Sequence, residues 1–290
     1  MSDTRLRRPG AQWPAGDAPW AAAGAALRAV LLDVDFTVLR PSALFSAEGY
    51  RATGARFGLD LDPGLWGAAE RRAHAAVKAR RAGRGNAHDD AVYEIIAEAI
   101  VTAMGGGEPE PVARCAAAIV EEWSRCENFS LYDDVKPCLV RLRSAGLAVG
   151  LVSNTNRDLA EVLESFALCE LVDGAVTSAE IGLFKPAPEI FAAALELVGA
   201  TAAETIMIGD SYGDDVEGAL AAGLAGALLL DRDGRRAAVS RGSQPGGRGS
   251  QPDGRGSRPD SRESGPGSRE SGRVISSLDE LPELLGLPRC

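Results

Sequence analysis

The chain of 290 residues carries 31 Lys+Arg against 41 Asp+Glu, a net charge of −10, and 45% apolar residues. That length supplies one large domain or two modest ones, each able to pack a core. The acidic balance repels a polyphosphate backbone, and no apolar run approaches a bilayer-spanning length, so neither nucleic-acid binding nor a membrane partner is expected.

Residues 1–25 hold charges, prolines and tryptophans without the apolar core of a secretory signal, and are expected to form a flexible leader. From residue 28 the chain alternates short apolar runs with amphipathic stretches, the pattern of an α/β domain on a parallel sheet. The first predicted strand, 28–32, runs directly into Asp33-Val34-Asp35-Phe36-Thr37.

Between about 41 and 130 no strand signal appears. Segments 47–57, 65–81, 89–104 and 111–126 place apolar residues at helical spacing, divided by the breakers DPG, GRGN and GGGEPEP. An all-helical insert over residues 42–130 is therefore expected, lying as a lid over the strands' carboxyl ends, where open parallel sheets bind ligands. Within it, Trp66, Tyr93, Trp123 and Phe129 are expected in the insert's own core, and His74 and His88 at solvated or capping positions. Arg71, Arg72, Lys78, Arg80, Arg81 and Arg84 form a basic cluster expected to be a solvated face, with steering of anionic substrates as the alternative.

Beyond the insert a helix is expected at 135–144, then a strand at 148–152 running into Ser153-Asn154-Thr155. A helix at 158–166 and a strand at 175–177 follow, and Lys185 lies in GLFKPAPEIF before a helix at 188–198. The strand predicted at 205–208 runs into Gly209-Asp210, with Asp214 and Asp215 opening a helix at 214–222, and a last strand is expected at 226–230. The runs AVLL, AVGLV, TIMI and GALLL are apolar without alternation, as expected of strands covered on both faces. Core sequence thus occupies 26–41 and 131–290.

One stretch of that core is anomalous. Residues 243–270 read as four sevens, SQPGGRG, SQPDGRG, SRPDSRE and SGPGSRE, with proline and arginine in register. Proline and the lack of apolar seam residues exclude a coiled coil, so a disordered loop over 240–273 is expected within the core. The following RVISSLDELPELLGL resumes apolar patterning with a plausible helix N-cap at Ser277. The five cysteines, Cys115, Cys126, Cys138, Cys169 and Cys290, are odd in number and lack CxxC spacing, which suits reduced thiols in a cytoplasmic protein.

If the strands are adjacent and parallel, their polar ends converge. At least three carboxylates would then share a small volume, and like charges raise one another's pKa unless a cation neutralises them. Oxygen donors without nearby His or Cys point to Mg2+ and away from zinc. In such a site one carboxylate can attack phosphorus, and a second, two residues on, can protonate the departing oxygen. The metal and a lysine can neutralise the phosphoryl oxygens.

These residues resemble the four motifs of the haloacid dehalogenase (HAD) superfamily of hydrolases. They are LLDVDFTVL (31–39), LVSNTN (151–156), Lys185 in IGLFKPAPEIF (181–191), and IMIGDSYGDDVEGA (206–219), and the helical insert resembles the superfamily's C1 cap. The resemblance implies a Rossmann-like doubly wound parallel sheet with an inserted all-helical cap domain. It implies Asp33 as nucleophile and magnesium ligand, and Asp35 as general acid/base that also binds magnesium through its backbone carbonyl. Ser153 would contact the phosphoryl group with Asn154 beside it, Lys185 would stabilise a phospho-aspartate, and Asp210 would bind magnesium. Asp215 would support the site, while Asp214 takes a place often held by Asn; one of the two is expected to serve as a helix N-terminal charge. Phe36 departs from the family, which often has glycine there. Dehalogenases of the superfamily generally lack the second aspartate of the first motif, so Asp35 argues for a phosphatase acting on a small phosphorylated metabolite. The alternatives are a 2-haloacid dehalogenase-type hydrolase and a catalytically silent binding or regulatory protein of the same fold. The substrate and the oligomeric state are left open.

Overall fold

A computed structural model describes residues 26–234 and 273–287. The expected leader at 1–25, the repeat at 243–270 and Cys290 lie outside the described residues.

A six-stranded, wholly parallel sheet organises the molecule. Its strands are β1 (Ala29–Leu32), β4 (Ala148–Ser153), β5 (Gly174–Thr177), β6 (Thr205–Gly209), β7 (Gly226–Leu230) and β8 (Arg273–Ile275). They lie in the order β5-β4-β1-β6-β7-β8, so the chain starts in the middle and winds outward both ways. Strand order reverses at β1, and the crevice of a doubly wound sheet opens at the carboxyl end of such a strand.

Alternate residues of β1 divide between two cores. Val30 and Leu32 pack with Leu139, Leu151 and Ile208 on one face. Ala29 and Leu31 pack with Val152, Phe191 and Met207 on the other. This is the two-residue strand period with both faces buried, which explains runs such as AVLL. Helices α5 (Val135–Ser144), α6 (Leu159–Ser165), α7 (Ser178–Ile181), α8 (Pro188–Val198) and α9 (Gly218–Ala221) connect the strands, and α10 (Glu280–Leu284) ends the described chain. Several boundaries have simple local causes. The Asp158 carboxylate accepts the Ala160 N–H ahead of α6. Pro188 opens α8, and Gly199, at φ +63°, closes it.

The insert contains α1 (Ala47–Ala55), α2 (Trp66–Arg84), α3 (Ala91–Ala103) and α4 (Pro109–Trp123). It leaves and rejoins the core through a short antiparallel ribbon of β2 (Leu39–Pro41) and β3 (Phe129–Leu131), in which Leu39 pairs with Leu131 and Pro41 with Phe129. Sequence patterning does not reveal these strands, because three residues are too few to show a period. Phe45, Trp123 and Phe129 pack against one another at the base of the insert, with Phe45 and Trp123 edge to face at 4.5 Å. Tyr50 meets Trp66 in the same way at 5.2 Å.

Three further differences from the sequence reading have local causes. The helix expected at 214–222 begins instead as a π-helical turn, Tyr212–Glu217, before α9. The N-cap position of α10 is Asp279, two residues after the expected cap, and Ser277 closes the turn that leads into the helix. Its hydroxyl accepts the Asp279 N–H at 3.1 Å and its own N–H donates to the Glu280 carboxylate at 3.2 Å, while the Asp134 carboxylate accepts from Ser277 Oγ and Leu278 N–H. Strand β8 is added at the sheet edge, where Arg273 pairs with Leu228 and Ile275 with Leu230. Among the described residues no helix is long and apolar enough to cross a membrane, and Cys115, Cys126, Cys138 and Cys169 are free thiols.

Candidate active site

β1 ends at Leu32, and the next residue, Asp33, donates its N–H to Ile208 O of β6 at 2.9 Å. The chain then turns sharply. Val38 and Leu39 both donate to Val34 O at 2.8 Å, and Phe36 donates to Leu39 O at 2.8 Å. Phe36 sits at φ +62°, a left-handed conformation that costs an L-residue about 1 kcal/mol. Glycine is free of that cost, which gives a physical reason for glycine at this position. The Phe36 ring is 44% exposed and lies 6.1 Å from Trp123, so it touches the insert.

Lys185 is brought to Asp33 by the loop between α7 and α8. Its ammonium is buried, and Nζ donates to Asp33 Oδ1, Asp215 Oδ1 and Val152 O, each at 2.7 Å. Burial alone would lower its pKa, but the adjacent Asp215 and Asp33 charges outweigh this and hold it above the ordinary lysine value. Asp215 is pushed upward chiefly by burial, with the Asp33 charge adding to the effect and Lys185 opposing it.

Asp210, just past β6, completes the cluster. One carboxylate oxygen from each of Asp33, Asp210 and Asp215 lies within 4.8 Å of the others. Three carboxylates without His or Cys are the donor set of a hard divalent cation such as Mg2+, and the residues present fit one. Gly209 makes the convergence possible. A Cβ there would stand 2.2 Å from Asp215 Oδ2, so only glycine lets the aspartate fold back beneath the strand end.

The other predicted residues fall around this centre. Ser153 is buried at the end of β4, in register with Thr177. The Asn154 side chain binds the lysine loop: Oδ1 accepts Lys185 N–H at 2.6 Å, and Nδ2 donates to Lys185 O and Asp214 Oδ2, both at 3.2 Å. Asp214 is consequently more than a helix-terminal charge. It also accepts from Arg81 of α2 at 2.9 Å. Arg81 leaves the expected solvated basic face for this contact, with its guanidinium 4.8 Å from the centre of the Phe184 ring. His88 is likewise mostly buried, between Ser178 Oγ and Asp90 Oδ1 at 3.0 Å each, and its ring packs 4.7 Å from Phe184. Backbone pairing reinforces the junction: His88 N–H donates to Gly182 O and Phe184 N–H to Asn86 O. The insert therefore docks on the loop that presents Lys185.

Asp35 lies apart from the three-carboxylate cluster and pairs with Arg157 Nη2. Burial raises its pKa, Arg157 opposes this, Asp33 adds to it, and the net direction is upward. Arg157 is the functional-looking residue that sequence reasoning missed. Its one available signal was a basic residue four positions after Ser153 in SNTNR, and its partner is 122 residues away.

A doubly wound parallel sheet with carboxylates and a buried lysine gathered at its strand ends defines the class, a Rossmann-like α/β protein with its site at the strands' carboxyl ends. A family model described as haloacid dehalogenase-like hydrolase matches residues 27–223, and the chain belongs to that family. It is 30% identical over 206 residues to the haloacid dehalogenase-like hydrolase domain-containing protein 3 of Bos taurus, covering 68% of this chain and 80% of that protein. It is 31% identical over 201 residues to a ribulose-1,5-bisphosphate 5-phosphatase of Halopiger xanaduensis, covering 68% and 82%. Other relatives match over only about half of their own length. The HAD-hydrolase YfnB of Bacillus subtilis superimposes with a TM-score of 0.60 at 18% identity, covering 90% of this chain and 99% of that one, a likeness of fold.

Proposed function

We propose that the protein is a cytoplasmic, magnesium-dependent phosphatase that hydrolyses a small phosphorylated metabolite through a phospho-aspartate on Asp33. The observation that carries this reading is the Lys185 ammonium seated between Asp33 and Asp215, with Asp210 converging on the same point and Asp35 two residues from Asp33. The name of the Halopiger relative, a phosphatase, supports the same reaction class.

In this mechanism a carboxylate oxygen of Asp33 forms a bond to phosphorus while the bond from phosphorus to the leaving oxygen breaks. Asp35, whose pKa is raised by burial, gives a proton to that oxygen. Asp35 then takes a proton from the water that attacks the phospho-aspartate, which returns both aspartates to their starting states. Lys185 orients Asp33 and offsets charge on the acyl phosphate, and Ser153 and Asn154 border the phosphoryl group. Asp33, Asp210 and the Asp35 backbone carbonyl would hold Mg2+, with Asp215 in support. When bound, the ion supplies positive charge opposite the phosphoryl oxygens. The insert over 42–130 serves as the cap, and its contacts from Arg81 and His88 to the core support that role.

The purified protein should release phosphate from p-nitrophenyl phosphate with Mg2+, and lose this activity in EDTA and in Asp33→Asn. Unchanged turnover in that variant, or metal-independent halide release from a 2-haloacid, would remove the phosphatase reading.

A further inference from the structure

Arg157 is a buried cation that the proposed chemistry does not use fully. Its side chain is 2% exposed and reaches Asp35 through Nη2. Its Nε and Nη1 are also buried, and neither makes a hydrogen bond among the described residues. The ring centres of Phe129 and Trp123 lie 4.3 Å and 5.8 Å from the guanidinium carbon. Tyr93, from α3, adds a second donor. Its hydroxyl is buried, with Ser178 as its side-chain neighbour and with Asp35 and Arg157 close enough for their charges to act on it. Burial also holds the phenol protonated. Native proteins rarely leave two buried nitrogens of one guanidinium unmatched, and such groups call for a partner outside the chain.

The position of these donors defines what that partner is. Asp35 stands where the leaving oxygen must receive its proton, so an acceptor that meets Arg157 is attached close to that oxygen. Nη1 and Nη2 form the terminal edge of a planar guanidinium, which a carboxylate accepts in two parallel bonds. The aromatic walls lower the local dielectric, so an apolar substituent there would leave buried donors unsatisfied and a neutral acceptor would give up the charge assistance that a carboxylate brings. We infer that Arg157, with the Tyr93 hydroxyl, is the recognition site for a carboxylate on the leaving group, so that the preferred substrates are phosphorylated hydroxy acids. This inference rests on the phosphatase reading for its turnover arm, and a binding arm separates the two.

Turnover of phosphoglycolate and of 2-hydroxyethyl phosphate compares a carboxylate with a neutral group of similar size. Calorimetry with 3-phosphonopropionate and its carboxamide makes the same comparison without hydrolysis. The wild type should favour the acid by at least about tenfold in both, mainly through KM in turnover, as expected of a charge-assisted hydrogen bond. In Arg157→Met the preference should collapse towards one. If circular dichroism shows that Arg157→Met does not fold, Tyr93→Phe, which removes one hydroxyl, should still lower the preference several-fold. Equal affinities in the wild type, or a preference that survives in folded Arg157→Met, would overturn the inference. Preferential binding without any hydrolysis would keep the carboxylate site and remove the phosphatase reading. Hydrolysis without preference would do the reverse.

Discussion

Asn154 grips Lys185 by its backbone on both sides: the side-chain oxygen accepts the lysine N–H at 2.6 Å, and the side-chain amide donates to the lysine carbonyl at 3.2 Å. The lysine's ammonium is thus positioned by a residue on a different strand end. Asn154→Ala removes both bonds and leaves the Lys185 N–H unmatched, with the longer Arg81 contact at 3.4 Å remaining to the carbonyl, at about 1–3 kcal/mol. Thermal melting should register that loss. The turnover number should fall with it by at least about tenfold, since a small displacement of the ammonium is enough. A variant with wild-type turnover would show that the grip does not position the lysine.

Lys185 is the cation that lets the Asp33 and Asp215 carboxylates approach one another beneath the sheet's edge. Lys185→Met leaves them uncompensated, and breaking such a buried pair costs about 3–5 kcal/mol. The variant should be inactive and less stable. Added Mg2+ should raise its melting temperature by more than it raises that of the wild type, because the ion takes over part of the neutralisation. No shift in either protein would argue that the carboxylate cluster does not bind the ion, and equal shifts would argue that the ion does not take over the neutralisation from Lys185.

Gly209→Ala tests the close approach beneath β6. Its methyl group would overlap the Asp215 carboxylate, 2.2 Å away, and force it off Lys185. The strand should survive, as Gly209 carries a mainly β conformation by pairing with Leu229. Activity should therefore fall sharply with the secondary structure retained by circular dichroism, and the melting temperature should drop as well because the Asp215–Lys185 pair is broken. Full activity would mean that Asp215 moves without consequence.

Asp134 provides the pH test. It accepts from Arg232 Nη1 and Nη2, Ser277 Oγ and Leu278 N–H at 2.7–3.0 Å. Burial pushes its pKa up, but these partners outweigh burial and hold it below the usual carboxylate range. A depressed acid stabilises the fold above its unfolded pKa of about 4, and that contribution disappears as pH falls through the lower folded value. Asp134→Asn should cost about 2 kcal/mol at neutral pH and progressively less below about pH 4. Denaturant melts across that range would reveal the convergence; a constant difference would remove Asp134 from the acid response.

The strand ends were legible because each buried apolar run stops at a polar residue that could not belong to it. Asp33 after AVLL, Ser153 after AVGLV and Asp210 after TIMIG are of this kind, and the parallel registry brings them together. Arg81 and Arg157 were not legible. Their partners, Asp214 and Asp35, lie 133 and 122 residues away, and neither arginine breaks a local pattern. Asp214 was underestimated for the same reason, since a carboxylate opening a helix has an adequate local explanation until Arg81 and Asn154 are seen against it. The β2–β3 ribbon escaped notice because it is made by pairing across the whole insert and carries too little sequence to announce itself.

Asp134 has one more consequence, which concerns how the gene can change. Arg232, just before residues 235–272, and Ser277 and Leu278, just after them, are tied to the same carboxylate. Both flanks of that stretch are anchored independently of what is spliced between them. Both anchors lie outside the repeat, so the number of seven-residue units can change without touching either contact. The carboxylate acts as a hem at which the coding sequence can be let out while the catalytic half of the molecule keeps its shape.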